Sequence, residues 1–292
     1  MEIQGRKIRI QRMGTDGDLK RAMELVQELD GQVDAFGLGG IDLYIYAGKR
    51  RYTFRDAKRI AQGAKQSPVV DGSGLKNSLE RRVIRYLADH GLIDFSDKKV
   101  LLVSAVDRFG MAETLAEVAD QVVYGDLVFA LGLPVPLRSL RTLHYVAWAV
   151  APIVTQLPFR WLYPTGEKQE TSSGKTKPIF ADLYRGADII AGDFHFIRRY
   201  MPGDLEGKTV ITNTVTADDV AELRSRGVEM LVTTTPSING RSMGTNLLEA
   251  IAVAMTGREM AAEDYLAWLE AIEFRPHVEK LQEGPVEGIG NE

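Results

Sequence analysis

Short apolar, β-branched runs in this chain repeatedly end in small polar clusters, and most of these clusters carry a carboxylate. Asp16, Asp42, Asp71, Asp107, Asp126 and Asp193 occupy such ends, as do Thr212, Asn213 and Thr214 and then Thr233, Thr234 and Thr235. Carboxylates there can hold hydroxyls or accept protons, and parallel sheets place their ligands at the carboxyl ends of strands. Asp, Ser and Thr are also the preferred helix caps. Thr216 with Asp219 fits that structural role. Runs such as 212–216 and 233–236, and glycines on both sides of an aspartate, exceed what capping needs.

The stretch Asp71-Gly72-Ser73-Gly74-Leu75-Lys76-Asn77 concentrates the most chemistry. Glycines opening a helix present backbone N–H groups to an anion, and the helix dipole adds to the attraction. Lys76 lies within reach of a carboxylate or phosphate, Asp71 suits a base or a hydroxyl holder, and Ser73 and Asn77 suit substrate contacts. The competing reading is a tight turn with a solvated lysine. Gly192-Asp193-Phe194-His195 places a histidine just past a strand end, where proton transfer is reasonable. Arg198 is a candidate carboxylate or phosphate clamp, as is Arg241 before the helix that begins near 244. Asp42 and Asp193 are candidate substrate contacts. There is no cysteine, no HExxH and no P-loop, so no metal site is assigned.

The elements that must position these groups follow from periodicity. Helices are expected over about 18–29, 55–65, 75–90, 244–255 and 262–273, and a hairpin over 43–54 turning at Gly48-Lys49. Strands are expected at 33–38, 68–70, 99–103, 121–124, 188–191, 209–211 and 230–232. The last three are continuous apolar runs, as in a parallel sheet covered on both faces. Residues 134–160 form an apolar helical insertion that suits a packing helix or a homodimer face. Residues 164–178 are polar and low in bulky side chains, a surface loop or lid.

With 292 residues, 45% hydrophobic and 26% charged, the chain can bury one large core or two medium ones. A net charge of −4 without a basic block argues against a nucleic-acid partner. No apolar stretch is long enough to span a bilayer, and residues 1–12 lack a signal-peptide core, so a cytoplasmic location is expected. A small-molecule substrate is the expected partner.

GTDGD, AFGLGGIDLY, VVDGSGLKNSLERRVI, VSAVDRFGMAE, GDFHFIRRYMP and TNTVTADDV together resemble a bacterial family often named quinate 5-dehydrogenase. The resemblance covers nearly the whole chain and implies kinship with the shikimate and quinate dehydrogenases. It implies an α/β chain of two domains of mostly parallel sheet: a substrate domain over 1–95 and a Rossmann-like domain over 96–292, with a cleft at the strand ends. It also implies NAD or NADP as cofactor and a small hydroxylated carboxylic acid as substrate. In that reading Asp71 and Lys76 handle the substrate hydroxyl proton, and His195 is a further catalytic candidate. Ser104, Asp107, Arg108, Gly110 and Asp126 lie under the cofactor, with Asn213, Thr214 and Thr234 on the nicotinamide side. The turn after 99–103 carries one glycine where a dinucleotide fingerprint has three. That departure keeps two alternatives open: a transferase or lyase on a phosphorylated or nucleotide-linked substrate, and a non-catalytic small-molecule binder.

Overall fold

The structure, a computed structural model, describes residues 2–3, 5–47, 50–158, 178–235, 237–238, 241–258 and 260–282. The polar segment expected as a loop or lid at 164–178 lies, but for its last residue, outside the described residues, as does the turn at 48–49.

In chain order the first half contains β1 (Glu2–Ile3), β2 (Arg6–Lys7), α1 (Leu19–Leu29), β3 (Phe36–Gly37), β4 (Tyr44–Ala47), β5 (Arg50–Thr53), α2 (Arg55–Ala61), β6 (Val69–Val70) and α3 (Ser73–Asp89). Helix α1 starts where Asp18 accepts the N–H groups of Lys20 and Arg21 at 2.9 and 3.1 Å. The hairpin β4–β5 forms as the alternating pattern predicts. The strand expected over 33–38 shortens to two residues paired in parallel with β6. Pro68, beside it, has no N–H to extend the ladder, and Gly40 turns the chain away with φ 75°.

The second half contains β7 (Lys99–Leu102), α4 (Phe109–Val118), β8 (Gln121–Tyr124), α5 (Asp126–Phe129), α6 (Leu140–Val154), α7 (Pro178–Gly186), β9 (Ile189–Ala191), α8 (Phe194–Tyr200), β10 (Thr209–Thr212), α9 (Ala217–Ser225), β11 (Met230–Thr233), β12 (Ser237–Ile238), β13 (Arg241–Ser242), α10 (Thr245–Thr256), α11 (Ala262–Ala271) and β14 (His277–Lys280). Six of these strands form one sheet in the order β14-β11-β10-β9-β7-β8, parallel except for β14. The fold class is therefore α/β, as expected.

Alternation along the strands sends side chains to two cores. Val100, Leu102, Ala191, Ile211 and Val232 face the side covered by α3, α4, α10 and α11. Leu101, Val103, Ile190, Val210 and Leu231 face Phe129, Tyr184, Phe194 and Leu223 on the other. Continuous apolar strands are what a sheet buried on both faces requires. Thr216 and Asp219 form the capping box that starts α9, their expected structural role. Helix α6 buries Leu143, Ala147 and Ala151 and turns Tyr145, Trp148 and Ile153 outward.

The strand order reverses between β7 and β9, so the crevice of this sheet opens above Ser104 and Gly192. Helix α3 packs on α4, α10 and α11, which brings the Asp71 turn beside that edge.

Candidate functional site

The chain enters α3 through Gly72, whose φ of 97° is left-handed. A side chain there would strike the Asn246 N–H and the Thr245 hydroxyl, 2.6 and 2.7 Å from its Cβ. Only glycine fits, and the turn locks Asp71 in place. Asp71 is buried and accepts the Leu43 N–H at 2.7 Å, the Ser73 N–H at 3.2 Å and the Ser73 hydroxyl at 2.5 Å. Burial first, then the nearby Asp42 charge, pushes its carboxyl up to about 6. Ser73 lines a small, shallow cleft together with Tyr44, Tyr46, Asn77, Asp107 and Phe109. Asp71 stands one step behind that wall, and the Ser73 hydroxyl joins the two.

Lys76 is also buried, with its ammonium 3.7 Å from Asp42 and 3.5 Å from Asp107. Burial works against its charge, but Asp42 and Asp107 outweigh it and hold the proton more tightly than usual. Lys76 is therefore a buried ammonium held by two carboxylates, not the solvated lysine of the competing reading. Asp42, Ser73 and Asn77 all gather here.

The loop expected beneath a cofactor is engaged within the chain. Arg108, 2% exposed, ion-pairs with the fully buried Glu80 and with Asp193 at 3.0 Å. Gly110 has no side chain because a Cβ would run into the Asn77 carbonyl, so this glycine serves α3–α4 contact. Asp193 caps α8 through the His195 N–H at 2.9 Å, and Asn213 donates to it at 2.9 Å while accepting the Phe194 N–H at 3.2 Å. His195 itself is exposed. Arg198 turns to Asp219 and Glu222 at 3.1 and 2.9 Å, so it clamps its own fold. Thr214 is half-buried. The Arg241 side chain lies outside the described residues. Ser104 Oγ, Thr234 Oγ1 and Asp126 Oδ2 are buried at the carboxyl edge and have no hydrogen-bond partner among the described residues.

Asp126, expected beneath the cofactor, accepts the Ala105 and Val106 N–H groups at 2.8 Å each through one oxygen. Burial first raises its carboxyl to about 6. A carboxyl raised on folding binds its proton more tightly in the native chain. Its contribution to stability is present below the ordinary carboxyl pKa of about 3.9 and is lost as pH rises through about 6. Asp126→Asn keeps the accepting oxygen and removes the charge. It should raise stability by about 1 kcal/mol at pH 8, the missing charge outweighing an amide left unpartnered, and give no gain at pH 4. Urea melts at the two pH values check this, and an equal loss at both would refute it.

Residues 74–281 match the model of a family described as a domain of unknown function, DUF8754. The chain belongs to the DUF8754 family. Residues 1–71 match a second domain of unknown function, DUF8753, so the two models meet at the Gly72-Ser73 turn. No curated protein matches the chain. A solved structure of the NAD-dependent malic enzyme from Thermotoga maritima is similar at 14% identity and a TM-score of 0.41, over 94% of this chain and 68% of that one. That likeness is too slight to carry a site or a chemistry across.

Four residues around these groups, Glu249, Tyr265, Glu80 and Tyr44, were not picked out from the sequence. Glu249 is fully buried on α10 and accepts the Gly72 N–H at 2.5 Å, the Leu75 N–H at 3.2 Å and the Tyr265 hydroxyl at 2.6 Å. Burial first raises its carboxyl to about 7. Glu80 anchors Arg108. Tyr44 lines the cleft, and burial and the Glu249 and Asp71 charges keep its phenol protonated. A signal did exist: Glu249 is the lone acid within the apolar run 247–255, where a solvated role is unnatural.

Proposed function

We propose that this protein is an NAD(P)-dependent oxidoreductase acting on a small hydroxylated carboxylic acid, of the quinate or shikimate type that the family resemblance implies. The observation that carries the reading is the Asp71–Ser73 pair, a buried carboxylate raised to about 6 and bonded to a hydroxyl that lines the cleft. A general base works best with a pKa near the operating pH. A substrate hydroxyl beside Ser73 passes its proton to Ser73 Oγ as the Ser73 proton moves to Asp71. The Lys76 ammonium, fixed between Asp42 and Asp107, favours negative charge developing on the substrate oxygen.

The cofactor is supported by the strand reversal between β7 and β9 and by the unpartnered hydroxyls of Ser104 and Thr234 at that edge. These residues, with Thr214, would hold the nicotinamide side, and a bound nicotinamide would accept hydride. The 104–110 loop fits a pyrophosphate poorly, since Arg108 and Gly110 are engaged elsewhere. That misfit favours a second reading, a lyase using the same Asp71–Ser73 pair without a dinucleotide.

Titration with NADH and NADPH, followed by nucleotide fluorescence and melting temperature, separates the two. The oxidoreductase reading expects saturable binding to one of them with a rise in Tm. No shift with either at millimolar concentration dismisses it in favour of the lyase.

A further inference from the structure

Hairpin β4–β5 supplies one wall of the cleft. Its register pairs Tyr46 with Arg51, so Tyr44, Tyr46 and Arg51 share one face of the hairpin. Tyr44 and Tyr46 both line the cleft and meet edge to face, with ring centres 5.5 Å apart. The Arg51 guanidinium lies over the Tyr44 ring, 4.9 Å from its centre. Such stacking engages the face of a guanidinium and leaves its N–H edges available. The other cations beside the cleft are already engaged. Lys76 stands between Asp42 and Asp107, and Arg108 between Glu80 and Asp193. Farther along the chain, Arg55 and Arg59 turn to Asp56. Arg51 is exposed and, among the described residues, has no carboxylate partner.

We propose that Arg51 is a specificity-determining residue that takes the carboxylate of the substrate, so that the acid sits with its carboxylate at the rim and its hydroxyls towards Ser73. The inference rests on reading this cleft as the site of a hydroxylated acid, and it names the group that receives the acid's charge. Asp107 lines the cleft, and Asp42 and Asp71 stand close behind it, bonded to Lys76 and Ser73. A substrate carboxylate pointing inward would meet like charge there. At the rim it meets a planar fork of N–H donors that matches its two oxygens. The cleft is small and shallow, so one compact acid can reach both Arg51 and Ser73. Arg51 binds and orients; the proton moves at Ser73 and Asp71.

The test is binding calorimetry on wild type, Arg51→Gln and Arg51→Lys with shikimate, quinate and the methyl ester of each. It is run without nucleotide and again with NADH or NADPH present, so it needs no turnover. The esters keep the hydroxyls and lose the charge. The acids should bind the wild type saturably. Arg51→Gln should weaken the acids about tenfold to hundredfold, the span of a hydrogen bond to a charged group, and the esters by less than about twofold. Arg51→Lys should recover part of the loss, and added salt should weaken the acids more than the esters. Equal acid affinity in wild type and Arg51→Gln, an equal loss for acid and ester, or no acid binding by the wild type in any arm overturns the proposal. Arg51-dependent acid binding by a protein that binds no nucleotide upholds it and dismisses the oxidoreductase reading instead. Nucleotide reduction by Arg51→Gln with an unchanged KM for the acid does the reverse.

Discussion

Arg108→Ala is expected to cost about 3–5 kcal/mol of folding stability. Arg108 is the only cation bonded to Glu80 among the described residues, and it joins three elements: α3 through Glu80, its own α4 and the α8 cap through Asp193. Removing it leaves the fully buried Glu80 carboxylate without its partner. Burial already raises Glu80, and Arg108 is the leading influence holding it down. In the variant, Glu80 would bind its proton more readily in the native chain, so stability is lost as pH rises. The loss should be smaller at pH 5 than at pH 8, where an uncompensated charge must stay buried. Arg108→Lys should recover only part of it, because one ammonium cannot bridge Glu80 and Asp193 as a planar fork does. Denaturant melts at both pH values measure the effect, and a loss below about 1 kcal/mol, typical of an exposed pair, would show that the triad is not buried as described.

The second large effect is on turnover. Asp71→Asn should lower turnover about a hundredfold to ten-thousandfold, the range general acid–base catalysis contributes. The amide can still accept the Leu43 N–H and the Ser73 hydroxyl, so the turn survives. What it loses is proton affinity. With Asp71 as the proposed base, wild-type activity should fall as pH drops through about 6. Glu249, raised to about 7 beside it, couples to that ionisation, and the acidic limb belongs to the pair. The asparagine variant should lack this limb.

The sequence made the sheet readable because its strands are unambiguous: buried on both faces, 189–191, 210–211 and 231–232 leave no polar alternation to misread. The cap at Thr216 was equally plain, since capping is local. Asp71, Ser73 and Lys76 stand out in the sequence because two glycines sit among them in one continuous stretch. What chain order could not show was which partner each charge meets. Arg108 reads as a residue beneath a cofactor, and nothing in chain order shows that Glu80, 28 residues back, holds it. Asp126 follows a strand end like the other carboxylates, and chain order does not show that the Ala105 and Val106 N–H groups take its oxygen. The α3 amides read as a vacant anion seat because Glu249 arrives from the far end of the chain. Long-range pairing of buried charge decided each of these, and it leaves little local trace.

The central claim is that Asp71, through Ser73, takes the substrate proton. The direct measurement is nicotinamide reduction by wild type and Asp71→Asn, each saturated with NAD⁺ or NADP⁺, against a panel of hydroxylated carboxylic acids that includes quinate and shikimate. The account predicts turnover by the wild type, and a variant that binds nucleotide equally well but is at least about a hundredfold slower. A variant that reduces nucleotide as fast as the wild type would contradict it.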